Sequence, residues 1–157
     1  MPRVFEEITA NTRATWSDDP RVCLKQLQDH EELRDLVARY SVMISTAVSP
    51  INLFARGGLF RLRAPDTADV EVIGIDQLRA FYDRTVGGAN RSHPIISSQI
   101  FSLGGDKASG ISCLTLKAKR GDGNWEGAGY YEDQFEREGG RWLFSARECT
   151  LLSWDKV

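Results

Sequence analysis

Long apolar runs are missing from this chain. Nowhere does it approach the ~20 consecutive apolar residues of a membrane-spanning helix, so no membrane association is expected. Net charge is nearly missing too. The Lys and Arg total of 20 against 22 Asp and Glu leaves −2, which gives no electrostatic footing for nucleic acid or an anionic membrane. Cysteine is scarce: Cys23, Cys113 and Cys149 are odd in number and lack C-x-x-C spacing, which points away from a disulfide framework and from a zinc site. They read as small reduced residues, two of them inside strands. Histidine occurs only as His30 and His93, and one histidine without a nearby acid cluster cannot build a metal site. The N-terminus, MPRVFEEITANTR, has acids where a secretory signal would carry its apolar run, so a cytoplasmic protein is expected. Internal repeats and low-complexity tracts are absent as well.

What remains is ordinary globular material, 41% hydrophobic and 27% charged over 157 residues, enough for one domain with a substantial core. The most informative stretch is NWEGAGYYEDQFEREGGRWLFSARECTLL, residues Asn124–Leu152. It reads as two strands, 125–136 and 141–151, joined at Glu138-Gly139-Gly140, a hairpin signal. Alternation puts Tyr131, Asp133 and Phe135 on one face. Arg147 lies on the return strand, and its simplest reading is a cross-strand ion pair on a solvated face, with a pocket rim or floor as the alternative.

Residues 1–28 read as an N-terminal extension with short helices, ahead of a domain over 29–157. A helical pattern passes through Val22, Leu24 and Leu27 and restarts at Asp29, with Glu32 as a capping-box partner. Leu33, Leu36, Val37, Tyr40, Met43, Ile44 and Ala47 follow at spacings of three and four, predicting an amphipathic helix over 29–46. Ser49-Pro50 ends it. A short helical segment over 51–55, a small β-unit of 59–63 and 70–73, and a helix over 77–86 capped by Asp76 come next. Strands over 91–103 and 107–119 lead into the hairpin. Helices early and an antiparallel meander late make an α+β fold.

The order of these elements, with the 29–46 helix, His93 and GYYEDQFEREGGRWLFSAR, resembles the SnoaL-like branch of the NTF2-like superfamily. That resemblance covers about residues 29–152. It implies an α+β cone in which a curved, mostly antiparallel sheet wraps around a long N-terminal helix accompanied by two shorter ones, leaving a deep apolar cavity. Scytalone dehydratase, bile-acid 7α-dehydratase and hexachlorocyclohexane dehydrochlorinase belong to the group it is similar to, alongside isomerases, polyketide cyclases and non-enzymes. Dehydratase-like members carry a tyrosine or lysine on the first helix, an aspartate five residues on, a histidine opening the first long strand and an arginine on the last. The matching positions are Tyr40, Ser45, His93 and Arg147. The aspartate is thus replaced by Ser45, which removes the group that orients the histidine and stabilises its cation.

The resemblance therefore implies His93 as general acid or base, Tyr40 as hydrogen-bond donor, Arg147 as the stabiliser of negative charge and Ser45 as an aligning group. Tyr131, Asp133, Met43, Gly129, Leu114 and Phe54 are the expected substrate contacts. Asp133 reads as a rim residue paired with Arg147 or Arg137, with a stand-in for the missing carboxylate as the alternative; Glu71, Asp83 and Glu148 are weaker substitutes. Gly127 and Gly129 either leave room for a ligand above the strand or mark a bend in a curved sheet. His30 reads as an ordinary helix residue, and Arg61 and Arg63 as solvated cations. The expected activity is cofactor-independent proton-transfer chemistry on a hydrophobic cyclic or aromatic substrate in an enclosed cavity: dehydration, isomerisation or cyclisation. The alternative is a binding or interaction module of the same fold. No cofactor or metal is expected, and the fold implies a homo-oligomer, dimer or trimer.

Overall fold

The computed structural model describes residues 4–11 and 13–157. Helix α1 (Val4–Ala10) is followed by α2 (Pro20–Ser45), a 3-10 turn (Ile51–Leu53), strands β1 (Phe54–Arg63) and β2 (Val70–Ile73), helix α3 (Ile75–Thr85), and strands β3 (Arg91–Gly104), β4 (Lys107–Arg120), β5 (Gly123–Glu138) and β6 (Arg141–Lys156). One sheet holds all six strands in the order β2-β1-β6-β5-β4-β3. Only β1 and β6 run parallel; every other pair is antiparallel. The predicted meander is therefore present, with longer arms than the sequence pattern suggested.

The inner face of the sheet follows from the alternation along β4 and β5, whose register is unbroken over its whole length. Ala108, Ser112, Leu114 and Ala118 lie on the same side as Tyr131, Asp133 and Phe135, and all are buried. Leu33, Leu36, Val37 and Tyr40 of α2 complete this core together with Leu78 and Tyr82 of α3. The long helix thus packs on the concave face, with Leu36 and Tyr40 buried and Met43 half-buried.

Two helix starts differ from expectation. α2 is continuous from Pro20, capped by the Asp19 side chain accepting from the Arg21 amide, so Asp29 lies well inside it and the 28/29 division falls within a helix. A carboxylate in mid-helix needs donors, and Asp29 has three. Arg137 Nη2 stands 2.7 Å away, Lys25 Nζ 2.9 Å and Trp142 Nε1 3.2 Å, all on Oδ1. These contacts tie α2 to β5 and β6. Burial alone would raise the Asp29 carboxyl, but the hydrogen bonds from Arg137, Lys25 and Trp142 outweigh it and hold it below the usual carboxylate range. In α3 the N-cap is Gly74 at φ 87°, with no side-chain capping bond, and Asp76 sits in the first turn instead. The 51–55 segment keeps only its 3-10 turn, because Phe54 and Ala55 join β1.

Gly127 and Gly129 mark close backbone approach, not open space. A Cβ on Gly129 would meet Thr150 O at 1.9 Å, and one on Gly127 would meet Ser153 O at 2.3 Å and Trp154 at 2.8 Å. Here β6 carries a bulge, since Ala128 pairs with Ser153 but Gly129 pairs with Leu151. The extra residue drives the neighbouring strand onto the glycines, which supports the bend reading over the ligand-room reading.

Removing Asp29 should leave the half-buried Arg137 without its nearer anion and Trp142 Nε1 without its acceptor. Asp29→Ala is expected to lower unfolding free energy by about 1–3 kcal/mol, measured by urea denaturation at pH 7. Because the folded carboxyl is held below its unfolded value of about 3.9, the Asp29 contribution is present at neutral pH and is lost as the pH falls through the depressed folded value. The difference between wild type and variant should therefore shrink in acid.

Candidate functional site

Arg147 is the largest fully buried side chain, at 0% exposure. β6 aims it inward because its register partner is Asp133 of β5, which in turn sits opposite Gly110 of β4. A missing side chain at Gly110 is filled by the Phe101 and Phe135 rings, which a Cβ there would strike at 2.8–3.0 Å. Around the guanidinium stand three aromatic rings: Tyr131 at 3.8 Å, Tyr40 at 4.2 Å and Phe144 at 4.6 Å from the guanidinium carbon to the ring centres. Each offers its negative face to the cation.

The ion pair expected between Arg147 and Asp133 is present, but it is buried, not solvated. Nε and Oδ1 are 3.5 Å apart, with both side chains essentially inaccessible. That separation makes an ion pair without a hydrogen bond. Asp133 Oδ1 and the guanidinium Nε, Nη1 and Nη2 are all buried with no hydrogen-bond partner, and the Ser112 hydroxyl in the same region shares that state. Such a concentration of unpaired polar atoms is unusual in a folded interior.

Burial, only partly offset by Arg147, pushes the Asp133 carboxyl up to about 7. Burial likewise pushes the Tyr40 phenol up to about 12, against the pull of Arg147 and of a 3.2 Å hydrogen bond with the Tyr82 hydroxyl. Tyr131 and Tyr82 are displaced upward by the same desolvation. Cys149, beside Tyr131, is pushed to about 12 by burial and is no thiolate at neutral pH. The arrangement can therefore hold or move a proton at Asp133 near neutrality and place a fixed positive charge beside it.

His93 is elsewhere. It pairs with Lys117, which pairs with Glu126, which pairs with Asp155. That row alternates with the inner row of Ser92, Ala118 and Trp125, so His93 faces away from Arg147. It is exposed and bonds to Ser45, with Nδ1 and Oγ 2.5 Å apart. The contact is made around the free edge of β3, where Ser41 also donates to the Pro94 carbonyl at 2.5 Å. Ser45, His93, Lys117 and Trp125 line an open hollow of about 450 Å³. The set Tyr40, Ser45, His93, Tyr131 and Arg147 is thus not gathered into one enclosed cavity: Tyr40, Tyr131 and Arg147 meet in the interior, while Ser45 and His93 meet at the rim. The reason is a strand parity that the His-Pro pair alone does not reveal.

Of the other expected contacts, Phe54 and Leu114 are buried core. Phe54 is the nearer, with its ring centre 5.3 Å from Phe144 and 5.7 Å from Tyr82. Met43 is half-buried on α2, and Gly129 is a packing glycine. Arg61 and Arg63 lie on the outer side, where both reach Glu148, at 2.8 and 3.4 Å, and Arg61 also binds Glu71. This occupies Glu71 and Glu148, two of the three weaker candidate acids. Asp83 is exposed. Tyr82, which helical spacing places in the core, and Ser112 belong to the interior cluster, although neither is among the expected site residues. The alternation that places Leu114 inward would have included Ser112. Tyr82 differs from a plain core tyrosine only through its contact with Tyr40. Among the described residues no group of three or more His, Cys, Asp or Glu is placed to hold a metal ion, and no helix is long and apolar enough to cross a membrane.

A curved sheet closed by a long helix on its concave face, with a polar cluster buried between them, defines an α+β cone. The chain belongs to the SnoaL-like domain family, whose model matches residues 25–148. Solved structures share the fold. An NTF2-like protein with a cystatin-like fold from Novosphingobium aromaticivorans is 20% identical, with a TM-score of 0.67, covering 86% of this chain and 91% of its own. A proposed scytalone dehydratase from the same organism is 15% identical, with a TM-score of 0.73 over 84% and 89%. A type 2 hexachlorocyclohexane dehydrochlorinase is 12% identical, with a TM-score of 0.73 over 85% and 92%. No curated protein matches the chain.

The folded chain holds the Asp133 proton more tightly than the unfolded chain, whose aspartates titrate near 3.9. Its share of stability should therefore fall as pH rises from about 4 towards 7. Carbon-13 NMR of the aspartate carboxyls should show one group titrating near 7. In Arg147→Gln that midpoint should rise, because a favourable cation has gone. An Asp133 midpoint near 4 would contradict the burial argument.

Proposed function

We propose that this protein is a cofactor-independent enzyme that moves a proton on a hydrophobic cyclic or aromatic substrate, with Asp133 rather than His93 as the acid or base. One observation carries the reading. A fully buried arginine with three unpartnered nitrogens stands beside a carboxyl whose titration has been brought to about 7. Perturbed titratable groups of this kind cluster at catalytic sites. Structural similarity to a dehydrochlorinase and a proposed dehydratase supports an elimination, with isomerisation or cyclisation as neighbouring chemistries.

In an elimination, ionised Asp133 takes a proton from carbon, the C–H electrons form the double bond, and the leaving group departs with its own electron pair. Arg147 stabilises the negative charge that develops. Tyr40 and Tyr82, kept neutral by burial, donate to a polarised oxygen or to the leaving group. The rings of Tyr40, Tyr131 and Phe144 supply apolar walls. Ser45 and His93 act at the rim, if at all.

A second reading has its own observation in favour. The family's aspartate is Ser45, and His93 is turned to the outer face, which suits a non-catalytic binding module. The two separate on a panel of cyclic alcohols, halides and ketones, followed for product and for exchange of carbon-bound hydrogen in heavy water. Asp133→Asn is expected to lower the rate by about 10²–10⁴, while His93→Ala changes it less than threefold. The reverse pattern returns the role to His93. Tight binding without turnover or exchange on any compound favours the module.

A further inference from the structure

A second cleft lies at the opposite end of α2. The N-terminal arm starts on the outer face of the sheet, where the Phe5 ring of α1 meets Tyr130 at 6.3 Å and Ile8 is buried. Residues 13–16 of the arm then share a cleft with residues 99–103 of β3 before the chain reaches Pro20. Ser17 anchors it there, its amide donating to Gln26 Oε1 of α2 at 2.9 Å. Beneath the arm is a space of about 690 Å³, within the range of small-molecule sites.

Its walls are chemically specific. Trp16 of the arm packs on His30 with ring centres 4.9 Å apart, and His30 meets Phe101 edge-on at 6.2 Å. Burial and the nearby Arg34 pull His30 below its ordinary range, so its ring is neutral at pH 7. Arg13 and Arg34 both line the cleft, and among the described residues no Asp or Glu does. Arg34 has only a loose 3.7 Å contact with Glu31, and among the described residues Arg13 has no carboxylate partner.

The decisive feature is a bulge in β3. Ser97 pairs with Cys113 and Ile100 with Ile111, so Ser98 and Gln99 together face one residue of β4. Ser98 takes φ 51°, a left-handed conformation that costs a non-glycine residue energy. The bulge puts the half-buried Gln99 on the cleft wall, with its Oε1 just beneath that wall, closed to water and without a hydrogen-bond partner. Bulges recur where a side chain is re-aimed at a site.

We propose that this cleft is a binding site for a small aromatic carboxylate carrying a phenolic or ring N–H donor. The carboxylate meets Arg13 and Arg34, the ring lies against Trp16 and Phe101, and the donor satisfies Gln99 Oε1 once the half-buried amide turns into the cleft. The site is independent of the Asp133–Arg147 cluster.

Calorimetry on the full chain at pH 7.5 and low salt tests this, with 4-hydroxyphenylacetate as the probe. It should bind. Phenylacetate should bind roughly tenfold more weakly, having lost one hydrogen bond to a buried acceptor. The neutral 4-hydroxyphenylethanol should bind at least about tenfold more weakly than the probe. The double variant Arg13→Gln/Arg34→Gln should weaken the probe by at least about tenfold; both side chains are exposed, so the fold is retained. Gln99→Leu should abolish the preference for the phenol, and Asp133→Asn should leave binding unchanged. No binding up to about 10 mM, undiminished binding in the double arginine variant, or loss of binding in Asp133→Asn alone would each overturn the proposal.

Discussion

The interior is organised around one desolvated cation. Moving a guanidinium out of water costs several kcal/mol even after relaxation, and Arg147 has no hydrogen bond to compensate. What holds it is a carboxylate at 3.5 Å and three ring faces within 4.6 Å. Each desolvated cation–π contact contributes on the order of 2 kcal/mol, and together they constrain where every ring can lie. Tyr40 comes from α2, Tyr131 from β5 and Phe144 from β6, so the long helix and the sheet are keyed to the same charge. The Tyr40–Tyr82 hydrogen bond extends this to α3.

A second ionic clamp works at the other end of the helix. Asp29 gathers Lys25, Arg137 and Trp142, and Arg137 also lies over the Trp142 ring at 4.4 Å. The two clamps differ in kind. Asp29 accepts three hydrogen bonds on one oxygen, and its carboxyl is held low, which suits a structural anchor. Asp133 has an ion pair with Arg147 but no hydrogen bond on Oδ1, and its carboxyl is held high, which suits a group that exchanges a proton. Environment assigns different tasks to the same residue type.

The free edge of β3 shows a third constraint. An unpaired strand edge invites association, and here α2, through Ser41 and Ser45, and the N-terminal arm share its cover. The bulge at Ser98–Gln99 interrupts the edge between them. Covering an edge from two sides leaves a hollow at each cover, one beside His93 and one beside His30.

Hydrophobic period and turn residues were enough to read the elements. The 3.6-residue spacing from Leu33 to Tyr40, the glycine turns and the two-residue alternation around Tyr131 each act within a short window, so local chemistry determined helices, strands and the α+β class. The Asp133–Arg147 pairing was legible too, because alternation and a hairpin register are local rules, whereas Tyr40 was placed beside Arg147 only by the family resemblance. The boundary at Asp29 was not, since a carboxylate preceding an apolar stripe looks like a cap until Arg137 and Trp142, distant in sequence, are brought to it. Nor was the outward turn of His93 legible, which depends on β3 pairing with β4. The burial that distinguishes the Asp133–Arg147 pair from a surface salt bridge was equally hidden. Desolvation is a property of everything packed around a group, and those neighbours are assembled only by the tertiary fold.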